Sequence, residues 1–259
     1  MKKNIISYCL YGSSNKYLHG IIEAVISYKI HFIRWTIRVY ICSTLKEHKV
    51  VEILNGLNVE IVFIKQKSTK EESNEMMYYR FTPMFENDVK YFLSRDADSR
   101  ADAREFEMVT KFIESGKTLH SILDQGSHGN VMGGMFGANV EKLREYRLKS
   151  FNEFIDPRIQ TERMVRRGSD QTWLRMFFSP VVNKLDAYVS LNEDVIARNE
   201  QRGIQKKDIK LLNNISIVDC NHEITKHCSN FVGRQINVDN SPNDVKARNS
   251  VYIPITFDL

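Results

Sequence analysis

The segment Tyr91–Arg100, YFLSRDADSR, begins as an apolar, strand-like run and ends in two aspartates, Asp96 and Asp98, bracketed by Arg95 and Arg100. Two carboxylates at i,i+2 on an extended segment project to the same side, so they can hold a divalent cation while its other coordination positions stay open. Mg²⁺ or Mn²⁺ held by one or two carboxylates completes its shell with water and phosphate oxygens, and a diphosphate is the matching ligand. The alternative is that Asp96 and Asp98 pair with Arg95 and Arg100 on a solvated turn, an arrangement worth roughly 0–1 kcal/mol.

A second unusual stretch lies downstream. In LHSILDQGSHGNVMGGMFGA, Leu119–Ala138, a strand-like run precedes Asp124, and Gly126, Gly129, Gly133, Gly134 and Gly137 follow in close succession. Glycine at that density permits either close backbone approach to a ligand or a chain of tight turns. The stretch has neither the P-loop lysine nor the G-x-G-x-x-G order, so neither nucleotide fingerprint applies. Farther on, Asp170 and Gln171 open an apolar helix, TWLRMFFSPVV. Asp170 there is either a helix N-cap or a carboxylate facing a reacting hydroxyl.

These residues must be positioned by the elements around them, and the patterning specifies an α/β chain. NIISYCLYG reads as a strand, YLHGIIEAVISYKI as a helix, WTIRVYIC as a strand, LKEHKVVEILNGL as a helix closed by Gly56, and VEIVFIK as a strand. A βαβαβ opening implies a mostly parallel sheet covered by helices. A polar stretch and a short helix around Glu75–Phe81 then lead through Pro83 to VKYFLSR. Asp102 and Glu105 form a capping box for the next helix, with Phe106, Val109 and Ile113 as its apolar face and Gly116 as its left-handed stop. Asp96 and Asp98 precede that cap, at the carboxyl end of a strand, where open α/β sheets bind ligands.

Composition narrows the class. At 259 residues, 42% hydrophobic and 27% charged, the chain can bury one substantial core and is neither membrane-like nor disordered. The net charge is +5, and residues 1–70 hold 11 basic against 4 acidic side chains, a mild excess that favours anionic ligands. Cys9, Cys42, Cys220 and Cys228 form no C-x-x-C pair, so no zinc ribbon or redox dithiol is indicated. The first apolar run is broken by Ser7 and ends at Gly12, too short for a signal-peptide core, and a cytoplasmic location is expected.

The motifs carry a resemblance. ISYCLYGSSNKYLHG, YYRF at Tyr78–Phe81, FLSRDADSR, LHSILDQGSHGNVMGGMFGA and SDQTWLRMFFSP at Ser169–Pro180 follow one another as in the GT-A glycosyltransferases. In particular the chain resembles a group of small nucleotide-sugar-dependent proteins of viruses and bacteria. The resemblance spans most of residues 5–180. It implies a single GT-A-like, Rossmann-like domain over residues 1–235. Residues 1–100 would form the nucleotide-binding half and 101–235 the sugar and acceptor half, with an insert at about 186–212 and an extension at 236–259.

The roles that the resemblance implies are specific. Tyr11, Gly12 and Tyr17 would cradle the nucleoside, and Arg80 and Arg95 would face the diphosphate of a UDP- or GDP-sugar. Asp96 would contact ribose or metal, Asp98 would be the principal ligand of Mn²⁺ or Mg²⁺, and Gly133 and Gly134 would line the sugar pocket. Asp170 would act as general base or bind sugar hydroxyls, Asp124 would add sugar contacts, and His128 would meet the acceptor. After Pro180 the chain departs from the pattern: a charged insert, DAYVSLNEDVIARNEQRGIQKKDIK, precedes IVDCNHEITKHCSNFVGR. His222 is the expected third metal ligand there, ahead of His227 and Asp219.

The expected reaction is metal-dependent transfer of a hexosyl or pentosyl group from a nucleoside diphosphate to a hydroxyl, with a glycan as acceptor. Hydroxymethylated bases of phage DNA are the second acceptor, although no aromatic-and-basic stripe supports base flipping. Two rival classes share the carboxylate pair: a haloacid-dehalogenase-like phosphatase, whose D-x-D usually lies near the N-terminus, and a nucleotide-binding module without turnover.

Overall fold

The computed structural model describes residues 2–66, 74–123, 132–148, 150, 153, 168–181, 184–191 and 214–219. Within these residues the strands are β1 Lys3–Leu10, β2 Thr36–Cys42, β3 Glu60–Ile64, β4 Val89–Arg95, β5 Leu119–Leu123, β6 Met135–Asn139, β7 Asp186–Leu191 and β8 Asn214–Asp219. The helices are α1 Asn15–His31, α2 Lys49–Gly56, α3 Ala103–Ser115, α4 Val140–Glu145 and α5 Ser169–Phe178.

All these strands join one sheet in the order β3-β2-β1-β4-β6-β5-β7-β8. β6 runs antiparallel to both β4 and β5, and every other pairing is parallel. This is the mostly parallel α/β class, with flanking helices, that the βαβαβ opening implied. The chain runs outward from β1 through α1, β2, α2 and β3, then returns to place β4 on the other side of β1. The carboxyl ends of β1 and β4 are therefore neighbours at the point where the strand order reverses, which is the crevice such sheets offer to ligands.

Both faces of the sheet are covered, so the central strands read as continuous apolar runs. Alternate residues go to opposite sides. Ile6, Tyr8 and Leu93 pack with Ile21, Ile22 and Val25 of α1 and with α2. Ile5 and Phe92 pack on the other face with Tyr78, Phe81, Trp173 and Phe177. Trp173 of α5 is stacked between Phe81 and Phe177, at centroid distances of 5.4 and 5.0 Å.

Several local expectations hold and others need correction. The Asp102 carboxylate caps α3 by accepting from the Glu105 N–H at 2.8 Å, and Gly116 stops the helix at φ 63°. The Glu105 side chain, however, does not reach back to complete the box; it turns into the core. The buried residues of α3 are Arg104, Glu105, Met108, Val109 and Phe112, while Phe106 is 43% exposed. The short helix around Glu75–Phe81 is a 3₁₀ segment running Asn74–Phe85, with Pro83 inside it. The glycine-rich stretch hides a strand: Met135–Asn139 is β6, in which a Cβ on Gly137 would press within 2.6 Å of Leu93 Cδ2. The start of the expected charged insert is also structural, since Asp186–Leu191 is β7, paired in parallel with β5.

His120 of β5 is wholly buried, stacked on Phe112 at 4.9 Å, with Nε2 against Ser190 Oγ at 3.1 Å. Burial holds its protonation well below the ordinary value of 6.5. The unfolded chain therefore takes up this proton before the native one does, and stability present above pH 6.5 is lost as the pH falls toward the lowered native value. The loss is up to about 1.4 kcal/mol per pH unit. Urea titrations from pH 7 downward should show this slope, and His120→Phe should flatten it relative to the wild type.

Candidate functional site

The site grows from the turn that follows β4. Asp96–Ser99 is closed by the Ser99 N–H donating to the Asp96 carbonyl at 3.2 Å, reinforced by Ser99 Oγ at 2.8 Å. Asp96 and Asp98 thus sit on a turn rather than on an extended segment, and they point to different partners. Asp96, with a side chain 37% exposed, ion-pairs with Arg80; Asp98, almost wholly buried, ion-pairs with Lys16 Nζ at 2.8 Å. The arginines that flank the pair in sequence go elsewhere. Arg100 binds Glu23 of α1 at 3.1 Å and the Gly20 carbonyl at 3.2 Å.

Arg95 corrects an expectation outright. It cannot face a diphosphate, because its side chain is buried in the core beneath the turn. Its Nε donates to Glu105 Oε1 at 2.5 Å and to Tyr28 Oη at 3.0 Å, and Nη1 donates to the carbonyls of Ser94 and Phe136. Burial pushes the Glu105 carboxyl up while the Arg95 guanidinium opposes it. The pair ties α1, α3, β4 and β6 together under the site, so Arg95 fixes the strand end that carries Asp96.

Arg80, on the 3₁₀ segment, is the hub. It is 2% exposed, and its two terminal nitrogens reach different carboxylates: Nη1 pairs with Asp96, and Nη2 donates to Asp170 Oδ2 at 2.5 Å. Asp170 is not the N-cap of α5. That position is Gly168, in the left-handed region at φ 79°, and Asp170 lies in the first turn with its carboxylate turned to Arg80. Tyr78 Oη donates to Ser169 Oγ at 2.7 Å and holds the start of α5 against the 3₁₀ segment. Among the described residues, Arg80 Nε and Asp170 Oδ1 are buried with no hydrogen-bond partner. Buried polar atoms without a partner are rare in native proteins, and each calls for a water, an ion or a polar ligand.

Gly133 and Gly134 form the wall of this cluster. A Cβ on Gly133 would overlap Asp170 Oδ2 and Arg80 Nη2, and one on Gly134 would overlap the Asp96 carboxylate. The Gly133 carbonyl accepts from Ser94 Oγ, which locks the turn before β6 onto β4. On the opposite side, α1 lies so close that a Cβ on Gly20 would stand 2.6 Å from the Ala97 carbonyl. Gly134→Ala should therefore displace Asp96, costing about 1–3 kcal/mol by overpacking. Thermal unfolding measures that cost, and a variant as stable as the wild type would show that the wall is not tight.

The loop after β1 enters from the side. Gly12 adopts φ 72°, Tyr11 is partly buried, and Tyr17 is 40% exposed with its ring 5.4 Å from Lys16 Nζ. Burial pushes the Tyr11 phenol well up, and the charges of Arg80 and Asp170 reach it. Cys9 lies close enough to the same charges to respond to them, and burial raises its thiol to about 12, which leaves it a thiol near neutrality. Cys9 and Cys42 are free. Asp124, His128 and His222, with Cys220 and Cys228, lie outside the described residues. Of the expected residues, then, Asp96, Asp98, Arg80, Asp170, Gly133 and Gly134 converge, and Arg95 supports from below. Lys16 was missed, because a lysine in the first turn of an amphipathic helix looks like any surface lysine.

No group of three His, Cys, Asp or Glu side chains is placed to hold a metal among the described residues. The Asp98 carboxyl is raised first by burial and next by the charge of Asp96, with Lys16 opposing. Asp96 and Asp98 share one turn, so a divalent ion held there would draw its remaining ligands from phosphate and water rather than from a closed cage.

No family model matches the chain, and no curated protein matches it significantly. Among solved structures it is similar to TarS 1-349 of S. aureus, at 13% identity and a TM-score of 0.47, covering 84% of this chain and 58% of that one. It is also similar to 4-diphosphocytidyl-2C-methyl-D-erythritol synthase of Anaerococcus prevotii, at 11% identity and a TM-score of 0.44, covering 82% and 97%. TarS 1-349 in complex with UDP-GlcNAc gives 14% identity and a TM-score of 0.42, covering 57% and 48%. The chain spans little more than half the length of the TarS structure, and similarities this loose carry nothing about substrate. No helix among the described residues is long and apolar enough to cross a membrane.

Proposed function

We propose that the chain is a glycosyltransferase that moves a sugar from a nucleoside diphosphate, a UDP- or GDP-sugar, to a hydroxyl group of a glycan. The observation that carries this reading is the Asp96–Arg80–Asp170 cluster, which lies under a glycine wall at the sheet's switch point with a buried donor and acceptor left over. The order of motifs along the chain supports the same reading. In the reaction the acceptor oxygen bonds to the anomeric carbon as the bond from that carbon to the diphosphate breaks, and the acceptor proton must leave. Asp170 Oδ1 is the acceptor available for that proton or for a sugar hydroxyl, with Arg80 orienting the carboxylate.

Asp96 and Asp98 would hold Mn²⁺ or Mg²⁺, which when bound supplies charge neutralisation to the departing diphosphate. Tyr11 and Tyr17 offer aromatic surface to the nucleoside, and Gly133 and Gly134 let the sugar approach the backbone. The test has two stages. With Mn²⁺ present, one of UDP, GDP, CDP and TDP should raise the melting temperature, since a ligand at 100 times its Kd stabilises the native state by about 2.7 kcal/mol. A panel of nucleotide sugars should then show slow donor hydrolysis in the absence of acceptor. No shift with any of the four nucleotides would overturn the ligand class, and binding without turnover of any sugar would make the chain a nucleotide-binding module.

A further inference from the structure

Lys16 occupies a position that no role assigned so far explains. Its ammonium meets the buried Asp98 carboxylate at 2.8 Å from the first turn of α1, with the Tyr17 ring at 5.4 Å on its flank. The two ends of this pair differ in access: the Lys16 side chain is 22% exposed, and that of Asp98 is 2% exposed. The Asp98 carboxylate is thus held by burial, whereas the lysine stem can swing toward solvent. A lysine ammonium is a compact point charge on a flexible stem, suited to exchanging one anionic partner for another.

Charge balance gives that exchange a direction. Asp96, Asp98 and Asp170 contribute three negative charges to the cluster, and Arg80 and Lys16 contribute two positive ones. Asp98, if it shared a divalent cation with Asp96, would no longer need the ammonium for neutralisation, and Lys16 would be left beside the turn, able to meet an anionic oxygen of the donor. We infer that Lys16 is the resident counter-ion of Asp98, displaced by the divalent cation and then bound to an oxygen of the donor's diphosphate. This role rests on the nucleotide-sugar reading and adds to it an ordered uptake, cation before donor.

A counter-ion of this kind makes opposite demands on the two ligands. Lys16→Met keeps the apolar stem and removes the charge, so the cation no longer competes with an ammonium and binds about tenfold tighter, while the diphosphate loses a partner and binds about tenfold more weakly. Mn²⁺ affinity is read from the free-ion EPR signal without nucleotide. Diphosphate affinity is read by calorimetry at saturating Mn²⁺, using whichever of UDP, GDP, CDP and TDP stabilises the wild type. Lys16→Arg, which keeps the charge, should keep the nucleotide affinity within a few-fold of wild type.

A second measurement needs no variant. In the wild type, acylation of Lys16 by an amine-reactive ester, quantified by mass spectrometry, should rise when Mn²⁺ is added and fall again when the nucleotide follows. A Lys16→Met protein in which both affinities fall together, or neither changes, overturns the inference, as does a Lys16 reactivity that ignores Mn²⁺. If the wild type binds neither Mn²⁺ nor any of the nucleotides, the functional reading fails first and this inference with it. If the wild type binds both and only the Lys16 signatures are missing, the functional reading stands alone.

Discussion

Asp98→Asn should reduce donor turnover by about 10²–10³-fold, the scale on which removal of one well-placed electrostatic stabiliser slows an enzyme. The substitution keeps shape and hydrogen-bonding capacity but removes the charge that the cation needs, in a side chain with almost no exposure. Far-ultraviolet circular dichroism should be unchanged, since the turn is closed by Ser99 and by the Arg100 contacts to α1 rather than by Asp98 itself. In the wild type, a chelator should produce the same loss, and Mn²⁺ or Mg²⁺ should reverse it. Full turnover in excess chelator would remove the cation from the mechanism, and Asp98 would then keep only its pairing with Lys16.

Arg80→Met should lower stability by about 3–5 kcal/mol, the usual consequence of removing one partner from a buried ion pair and leaving the other charge uncompensated. Here the effect is sharpened because the guanidinium serves two carboxylates, and Asp170 has no exposed surface to which its charge could retreat. Urea unfolding gives the value. The double variant Arg80→Met, Asp170→Asn should recover part of it, because the orphaned charge is gone. A loss below about 1 kcal/mol in the single variant would mean that the cluster is solvated like a surface pair, and the buried polar site would have to be abandoned.

The local chemistry of this chain was legible in its sequence because it depends on short-range patterns. Apolar periodicity is enough to identify β1 through β4 with α1 and α2, since a segment buried on both faces or along one stripe shows that burial in its residue types. The Asp102 cap and the Gly116 stop are read the same way, from backbone groups a few residues apart. The D-x-D turn and the glycine pair at Gly133 and Gly134 stand out because carboxylates at a strand end and clustered glycines both require a reason.

Partners were not legible, because pairing is decided by geometry across long stretches of sequence. Asp96 and Asp98 lie between two arginines, yet Arg95 turns into the core to meet Glu105 and Tyr28, and Arg100 crosses to Glu23. The cations that reach the carboxylates come instead from the 3₁₀ segment and from α1. Side-chain direction at the end of β4 sets this outcome: alternation along the strand sends Arg95 to the face covered by α1 and α3, where only a buried carboxylate can compensate it. β6 escaped notice for a related reason. A five-residue strand with a glycine at its centre, wedged antiparallel between β4 and β5, shows no apolar alternation; Gly137 within it is explained only by Leu93, and Gly133 and Gly134 just before it only by Asp170, Arg80 and Asp96, which the fold packs against them.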